Sequence, residues 1–289
     1  LYGDFKPVNG LVITSRLGYR FSGSHNSAVS LPSYNNSERI NPYLNFSAGS
    51  STSLYYQWEN FANYMRTFGR HTVSAMVGMS FQKSTYNYVN GSLTGNEEDA
   101  LKKNDPVFWY LNYANASATK NVSGEETESA KLSYFGRVGY EFAGRYMIQA
   151  SLRADAADLS QLPVTNRWGY FPAVSAGWAI SEEAFFEPAR RYVSNLKLRA
   201  SWGQNGSLAA LSGYMYSTDM ALDRIYPFFP GNNYIQGSAP SSMGNDELRW
   251  ETSEQINIGL DARLFNDRLT FSLDWFDKKT KDLLVSGTT

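Results

Sequence analysis

The chain has 289 residues, and its 26 lysine and arginine side chains nearly balance its 27 aspartate and glutamate side chains. This balance, with no basic stripe along the sequence, excludes a nucleic-acid-binding surface that depends on positive charge. The absence of cysteine excludes disulfide frameworks, thiol catalysis and cysteine-ligated zinc. The sequence also has no run of about 18 apolar residues, the length that a membrane-spanning helix needs.

Alternation of apolar and polar residues with a period of two predicts about nine strands. In chain order they are residues 11–21, 53–67, 73–81, 131–142, 146–155, 168–180, 196–202, 248–265 and 269–275. The clearest pair spans residues 131–155, where Tyr134, Val138 and Tyr140 alternate with polar neighbours before a tight turn at 143–145. Each predicted strand therefore has one apolar face and one face with charged and amide groups.

Short and long connections alternate along the chain. Tight turns are predicted at Gly69, Gly144 and Asn266. A short helix is predicted after Ser181 as its N-cap, and it either ends near Pro188 or restarts there and runs to Tyr192. Long loops follow Phe21, Tyr86, Asp155 and Gly203. This regularity is typical of outer-membrane barrels, in which short turns face the periplasm and long loops face outside, rather than of sandwiches or propellers. We therefore expect an all-β, antiparallel transmembrane β-barrel segment, with its apolar face toward lipid.

Aromatic residues make up 15% of the chain, which suits either interfacial aromatic bands or an aromatic-rich all-β core. Those in predicted outer loops could stack on sugar rings or peptide side chains of a cargo. They could equally pack the loops together or contact a protein that covers the barrel. These candidate cargo- or lid-contacting residues are Trp109, Tyr110, Tyr214, Tyr216, Tyr226, Phe228 and Phe229.

The polar faces contain no recognisable catalytic set or cofactor-binding motif. The two histidines, His25 and His71, have no partner in the sequence, and His71 fits a solvated position beside a turn. Acidic residues at 97–99, or at 155 and 158, match no complete calcium template and fit solvated loops. A series of arginines on the polar faces could line a conduit: Arg16, Arg20, Arg137, Arg153 and Arg199.

Several motifs in this order resemble the SusC/RagA family of TonB-linked outer-membrane proteins. The matching segments are 56–60, 68–71, 134–141 (YFGRVGYE), 144–147, 166–178 (NRWGYFPAVSAGW), 196–206 (LKLRASWGQNG), 248–252 and 276–284. The sequence departs from the family at 153–158, where members usually have a turn rich in glycine and serine. The resemblance covers residues 55–284, apart from the long loops.

The resemblance implies a plugged barrel of the 22-stranded class in the outer membrane of a Bacteroidota-type Gram-negative bacterium. It also implies a SusD-like surface lipoprotein as a lid, the TonB–ExbB–ExbD complex acting through a plug domain, and an oligosaccharide or peptide cargo. We expect residues 1–289 to be part of one barrel domain, with the plug and the remaining strands outside this chain.

Two main functions stay open at this point. The first is a TonB-dependent importer of a glycan or peptide oligomer, and the second is a passive porin or adhesin-type barrel without energy coupling. An enzyme is not expected.

Overall fold

The computed structural model describes residues 1–31, 33–36, 39–41, 43–94, 106–113, 119–211, 213–227 and 234–283. These residues form an all-β, antiparallel structure, as the sequence predicts. Its only helices are short 3₁₀ turns of three to six residues. Within the described ranges, none of them has the length and apolar character needed to cross a bilayer.

Fourteen strands are present in the described residues. They are β1 Tyr2–Val8, β2 Leu11–Ser30, β3 Ser33–Asn36, β4 Arg39–Asn41, β5 Asn45–Phe68, β6 His71–Thr94, β7 Thr119–Phe142, β8 Tyr146–Ala156, β9 Trp168–Ala179, β10 Val193–Ser207, β11 Met220–Pro227, β12 Tyr234–Pro240, β13 Glu251–Leu264 and β14 Leu269–Lys281. Ten of them pair in the order β1-β2-β5-β6-β7-β8-β9-β10-β13-β14. The others form two separate hairpins, β3–β4 and β11–β12.

The main sheet has ten strands where the sequence pattern indicated about nine, and several are longer than the pattern predicts. β1 escapes the pattern because Asp4, Lys6 and Pro7 interrupt its alternation. β2, β5, β6 and β7 run for 20 to 24 residues into segments rich in serine and asparagine. These extensions form because pairing with a neighbouring strand overrides the weak strand propensity of asparagine.

The predicted alternation of short and long connections is confirmed. Tight turns join β5 to β6, β7 to β8 and β13 to β14, and a further short turn joins β1 to β2. Ala143 and Gly144 both have positive φ, of 56° and 71°, which closes the β7–β8 turn. We call the end of the sheet where these turns lie the short-turn end, and the opposite end the loop end.

The predicted helix between β9 and β10 differs in detail. It consists of two 3₁₀ turns, Ile180–Glu182 and Ala184–Ala189, and Pro188 lies inside the second. Ser181 is not an N-cap, because it lies buried within the first turn. The second turn begins after Glu183, whose side chain caps no backbone group because it is bonded elsewhere.

Contacts divide the chain into two compact units, which we describe separately. The first unit comprises residues 1–17, 58–82 and 130–289, and the second comprises 18–57 and 83–129. Most of the residues discussed below belong to the first unit.

Strand register in the first unit separates an apolar face from a polar face. One row of paired residues crosses six strands and contains only apolar side chains: Tyr140, Ile148, Ala176, Ala200, Ile258 and Trp275. The adjacent row, one residue along, lies on the other face and contains Gly139, Gln149, Ser175, Ser201, Asn257 and Phe276. Since side chains alternate between faces along a strand, these two rows define the face on which each other side chain of these six strands lies.

Aromatic pairs lie at both ends of the apolar face. At the short-turn end, Phe142 stacks on Tyr146 with ring centroids 6.4 Å apart, and Trp178 meets Phe185 edge-on at 6.5 Å. At the loop end, Tyr134 stacks on Trp168 at 6.0 Å. The large apolar side chains between these pairs are exposed, with Ile148 at 54% and Leu273 at 59% of their full accessible area. The apolar face therefore has two aromatic borders about one strand length apart.

Candidate functional site

The polar face of the first unit carries two adjoining hollows, of about 420 and 400 Å³. Both are lined by Gln149, Ser175, Ser201 and Asn257, which come from four neighbouring strands. These four shared residues carry hydroxyl and amide groups, which can donate and accept hydrogen bonds. Glu141, Lys197 and Arg199 add charged groups to the first hollow. The face is therefore suited to a polar, hydrated occupant.

The predicted polar-face arginines are mostly paired. Arg199 donates two hydrogen bonds to Asp261, at 2.6 and 3.0 Å, and a further one to Asp274 at 3.1 Å. Arg153 bonds Asp155 at 2.8 Å and the Ser133 hydroxyl at 2.9 Å. Arg199 thus forms a charge network across β10, β13 and β14, whereas Arg153 pairs with a carboxylate of its own strand, β8.

Two further arginines lie against aromatic rings. Arg16 in the first unit is 3.6 Å from Glu59 and its guanidinium lies 5.9 Å from the centre of the Phe61 ring. Arg20, in the second unit, lies 5.3 Å from the centre of the Tyr55 ring. Cation–π contacts of this kind hold a long side chain in one place.

The main packed cluster of the first unit lies in the outer loops. It is formed by the segments that follow β8 and β10 and by the segment that precedes β13. Its buried members are Ala157, Leu162, Leu211 and Leu248, with Leu162 fully buried. Partly buried Leu208, Tyr216 and Trp250 pack against them. Residues 157–167, 208–217 and 245–250 are therefore joined by one common core.

Asp158 organises the first of these loops. Its carboxylate accepts hydrogen bonds from the Ser160 hydroxyl at 2.6 Å, the Ser160 N–H at 2.8 Å and the Ala130 N–H at 2.6 Å. Burial raises the pKa of Asp158, but these hydrogen bonds, with the charge of Arg167, outweigh burial and leave the pKa below its usual value. The carboxylate therefore stays ionised and ties the β8–β9 loop to β7.

Tyr214 and Tyr216 lie together on this loop core, with ring centroids 6.1 Å apart. The Tyr216 hydroxyl donates to the Leu159 carbonyl at 2.8 Å, and the Tyr214 N–H donates to the Ser160 carbonyl at 2.5 Å. The Tyr214 side chain is 53% exposed, whereas Tyr216 is partly buried. Tyr214 can therefore meet a ligand, while Tyr216 chiefly braces the loop.

Trp109 and Tyr110 belong to the second unit. They follow a 3₁₀ turn at Pro106–Phe108 and line a pocket of about 790 Å³ with Phe46, Val29 and Leu111. The Trp109 indole N–H is buried and has no hydrogen-bond partner among the described residues. A ligand acceptor group could satisfy this donor, which would otherwise remain unpaired at a free-energy cost.

The remaining predicted aromatics are only partly placed. Tyr226 is in β11, where its backbone is paired opposite Ile235. Phe228 and Phe229 lie outside the described residues, as do the acidic residues 97–99. The described members of the seven predicted residues are therefore divided between the two units.

His71 is exposed beside the β5–β6 turn, where its Nδ1 lies 2.7 Å from the Tyr140 hydroxyl and its ring 4.9 Å from that of Phe142. Across the described segments, no three His, Asp or Glu side chains come close enough to hold a metal ion.

Two residues that position the loop core do not stand out in the sequence. Phe171 lies on the polar face but is buried, and it meets Trp250 edge-on at 5.3 Å. Its ring covers Gly169 and Gly206, where a Cβ would come within 2.5 and 2.0 Å of it. A large aromatic in a polar register position, two residues after Gly169, was the available sequence signal for this contact.

The two-faced antiparallel sheet, its aromatic borders and its alternating short and long connections define the wall of a β-barrel receptor. Comparison with known proteins agrees. The family model for the TonB-dependent receptor-like β-barrel matches residues 2–289, and the chain belongs to this family. It is of the SusC/RagA type.

Two relatives illustrate the match. TonB-dependent receptor P39 of Formosa agariphila is 32% identical over 296 residues, covering 99% of this chain and 26% of that protein. TonB-dependent receptor SusC of Bacteroides thetaiotaomicron is 32% identical over 227 residues, covering 78% of this chain and 21% of that protein. The chain thus spans about a quarter of the length of these relatives.

The fold is also that of a solved structure, the RagAB peptide transporter, with a TM-score of 0.81 at 23% sequence identity. The match covers 98% of this chain and 29% of that one. These named relatives are receptors and a transporter rather than enzymes.

Proposed function

We propose that this chain forms part of the barrel wall and outer loops of a TonB-dependent importer in the outer membrane of a Bacteroidota-type bacterium. The cargo is a nutrient oligomer, either a glycan or a peptide. A SusD-like lipoprotein covers the outer mouth, and the TonB–ExbB–ExbD complex acts through a plug domain. Residues 1–289 belong to one barrel domain within the longer transporter.

The observation that carries this proposal is that the sheet of the first unit has one apolar face and one polar face, and that the chain belongs to this family. An exposed band of apolar side chains between two aromatic borders fits contact with lipid hydrocarbon. The opposite face is polar and carries hollows lined by amide and hydroxyl groups. A wall of this kind separates lipid from a hydrated interior through which a polar oligomer can pass.

Deletion of the complete gene in its native bacterium tests the proposal. We expect uptake of one class of labelled oligomer to be lost, and the same loss when tonB is deleted instead. Uptake of the corresponding monomer should continue in both strains. Oligomer uptake that needs this gene but persists without tonB would identify a passive pore and contradict energised import.

The outer-loop aromatics are proposed cargo contacts at two places. Tyr110 is 60% exposed next to Trp109, whose indole N–H has no partner among the described residues, and Tyr214 is 53% exposed on the loop core. Tyr226, Phe228 and Phe229 remain proposed contacts on the basis of sequence alone. An exposed aromatic ring offers a flat apolar surface at low entropic cost to a sugar ring or a peptide side chain.

Tyr110→Ala and Tyr214→Ala in the full-length receptor test these contacts. We expect each to weaken binding of the imported oligomer about tenfold, which corresponds to about 1.4 kcal/mol. Isothermal titration calorimetry measures the dissociation constant. Tyr192→Ala is the matched control, because Tyr192 is similarly exposed, at 58%, but lies next to β10 at the short-turn end. Unchanged affinity in both loop variants would remove these residues from the binding site.

A further inference from the structure

A carbon-lined hollow of about 440 Å³ lies on the apolar face of the first unit. Ala176 and Ala200 form its floor, and they are directly paired across β9 and β10. Ile148 continues this row on one side and Ile258 on the other. The hollow therefore exists because two small side chains stand next to each other in a row of large ones.

Tyr146, Trp178 and Leu198 line the hollow and occupy the next row toward the short-turn end. The polar atoms of the two aromatic residues are engaged elsewhere. The Tyr146 hydroxyl and the Trp178 indole N–H both donate to Glu183, at 2.5 and 3.1 Å. These bonds hold the polar edges of the rings at the short-turn end and leave their carbon surfaces to the hollow.

A positive charge lies at the same edge. Arg145 precedes Tyr146 in the chain and lies 3.2 Å from Glu183, with 31% of its side chain exposed. The hollow thus has an apolar floor, two amphipathic aromatic walls and a guanidinium beyond them. This order matches that of a lipid at an interface, in which the acyl chain is followed by the glycerol region and then the phosphate.

We propose that this hollow binds one acyl chain of a phospholipid, with the lipid phosphate beside Arg145. This proposal rests on the proposed outer-membrane position of the sheet. Water is a poor occupant of a space without polar partners, whereas a flexible, unbranched chain can fill a groove between paired strands. The surrounding apolar face is continuous with the hollow, so the occupant is the hydrocarbon that covers that face.

Photo-crosslinking tests the proposal in the full-length transporter, reconstituted into bilayers that contain a phosphatidylethanolamine with a diazirine in its acyl chain. Mass spectrometry then maps the labelled residues. We expect labelling at Tyr146, Trp178 and Leu198 to exceed labelling at Leu273 and Trp275, which lie on the open apolar face of β14. The combined variant Ala176→Leu/Ala200→Leu fills the hollow and should reduce its labelling to the level of β14.

Ala150→Leu is the matched control. Ala150 occupies the same face of β8, paired with Val138 and Val174, but does not line the hollow. This variant should leave the excess labelling at the hollow unchanged. Heat-dependent gel mobility of each variant verifies that the barrel has folded.

The outcomes are distinct. Labelling of the hollow that equals that of β14 in the wild-type protein, and does not respond to the filling variant, overturns the acyl-chain site but leaves the membrane position intact. Absence of label from both surfaces overturns the membrane position itself. Loss of label from the hollow alone, accompanied by a crosslink to a second copy or another protein, overturns the lipid in favour of a protein occupant.

Discussion

At the scale of single residues, Glu183 shows how one carboxylate fixes the short-turn end. It accepts hydrogen bonds from Tyr146 on β8, Trp178 on β9 and Arg145 in the β7–β8 turn. The hydrogen bonds from Tyr146 and Trp178 lower the pKa of Glu183, burial opposes them, and the charge of Arg145 adds to the lowering. The 3₁₀ connection between β9 and β10 is thereby attached to the preceding hairpin.

This lowered pKa predicts a pH dependence. Since the folded-state pKa lies below the ordinary glutamate value of 4.5, the stabilisation is complete above 4.5 and is lost as the pH falls through the lowered value. We expect Glu183→Gln to lower the Tm of the full-length barrel at neutral pH. Its Tm should also change less than that of the wild type between about pH 6 and pH 3.

Thermal unfolding in detergent at a series of pH values measures this effect. Glu187→Gln is the charge-matched control, because Glu187 is exposed and its only ion pair among the described residues is with Arg190, which follows this 3₁₀ turn. If the Tm of the wild type and of Glu183→Gln changed with pH in the same way, the charge of Glu183 would contribute nothing to thermal stability.

Arg199 is the corresponding residue on the polar face, where it separates Asp261 and Asp274. Arg199→Gln leaves these two carboxylates without their shared cation. Because all three groups are about 40% exposed, solvent reduces the effect, and we expect a small but measurable decrease in the free energy of unfolding. Urea titration of the reconstituted barrel measures it, with Lys278→Gln as control, because Lys278 is a polar-face lysine with no ion pair in the described part. Equal losses in the two variants would contradict a specific role for Arg199.

At the scale of elements, the outer loops after β8 and β10 share a packed core that contains the fully buried Leu162. Leu162→Ala removes a fully buried side chain, and a change of this kind costs about 2–4 kcal/mol where the surroundings cannot collapse. We expect the cost to fall on the loop core, so that residues 157–167 and 208–217 exchange their amide hydrogens faster. β8 and β9 should remain protected.

Hydrogen–deuterium exchange of the full-length protein tests this prediction, with Leu159→Ala as the control. Leu159 lies in the same loop but its side chain is 55% exposed. Faster exchange throughout β8 and β9 would indicate that the loop core and the sheet unfold together.

The sequence predicts much of the sheet and little of the loops, for a physical reason. Val138, Ile148 and Ile258 reveal their strands because one face must be apolar throughout, which imposes a period of two. The extensions of β2 and β7 lie beyond that requirement, so their serine, asparagine and glutamate residues carry no alternation. Phe171 and Trp250 meet across about 80 residues, and no local pattern encodes a contact of that range.

At the scale of the whole molecule, the two faces of the sheet predict opposite responses to charge. Ile258 and Asn257 are adjacent in β13 but lie on the apolar and polar faces. If the apolar face contacts lipid, Ile258→Lys costs about 2–4 kcal/mol near the middle of the bilayer, whereas Asn257→Lys is tolerated.

The amount of folded, heat-modifiable full-length protein in outer-membrane fractions measures this difference. We expect little of the Ile258→Lys protein and near wild-type levels of the Asn257→Lys protein. The reverse order, or equal amounts of both, would show that the apolar face does not meet hydrocarbon.

The shared core of the outer loops has a consequence for how cargo preference can change among relatives. Leu162 lies in the loop after β8, whereas Leu211 and Leu248 lie in the connection after β10, and all three pack together. Exchanging only one of these loops between two receptors would therefore bring a mismatched partner to the other. We therefore expect the loops after β8 and β10 to change together among relatives. Chimaeras that aim to transfer specificity should exchange residues 157–167 and 208–250 together, with Phe171 and the glycines beneath it retained as the junction.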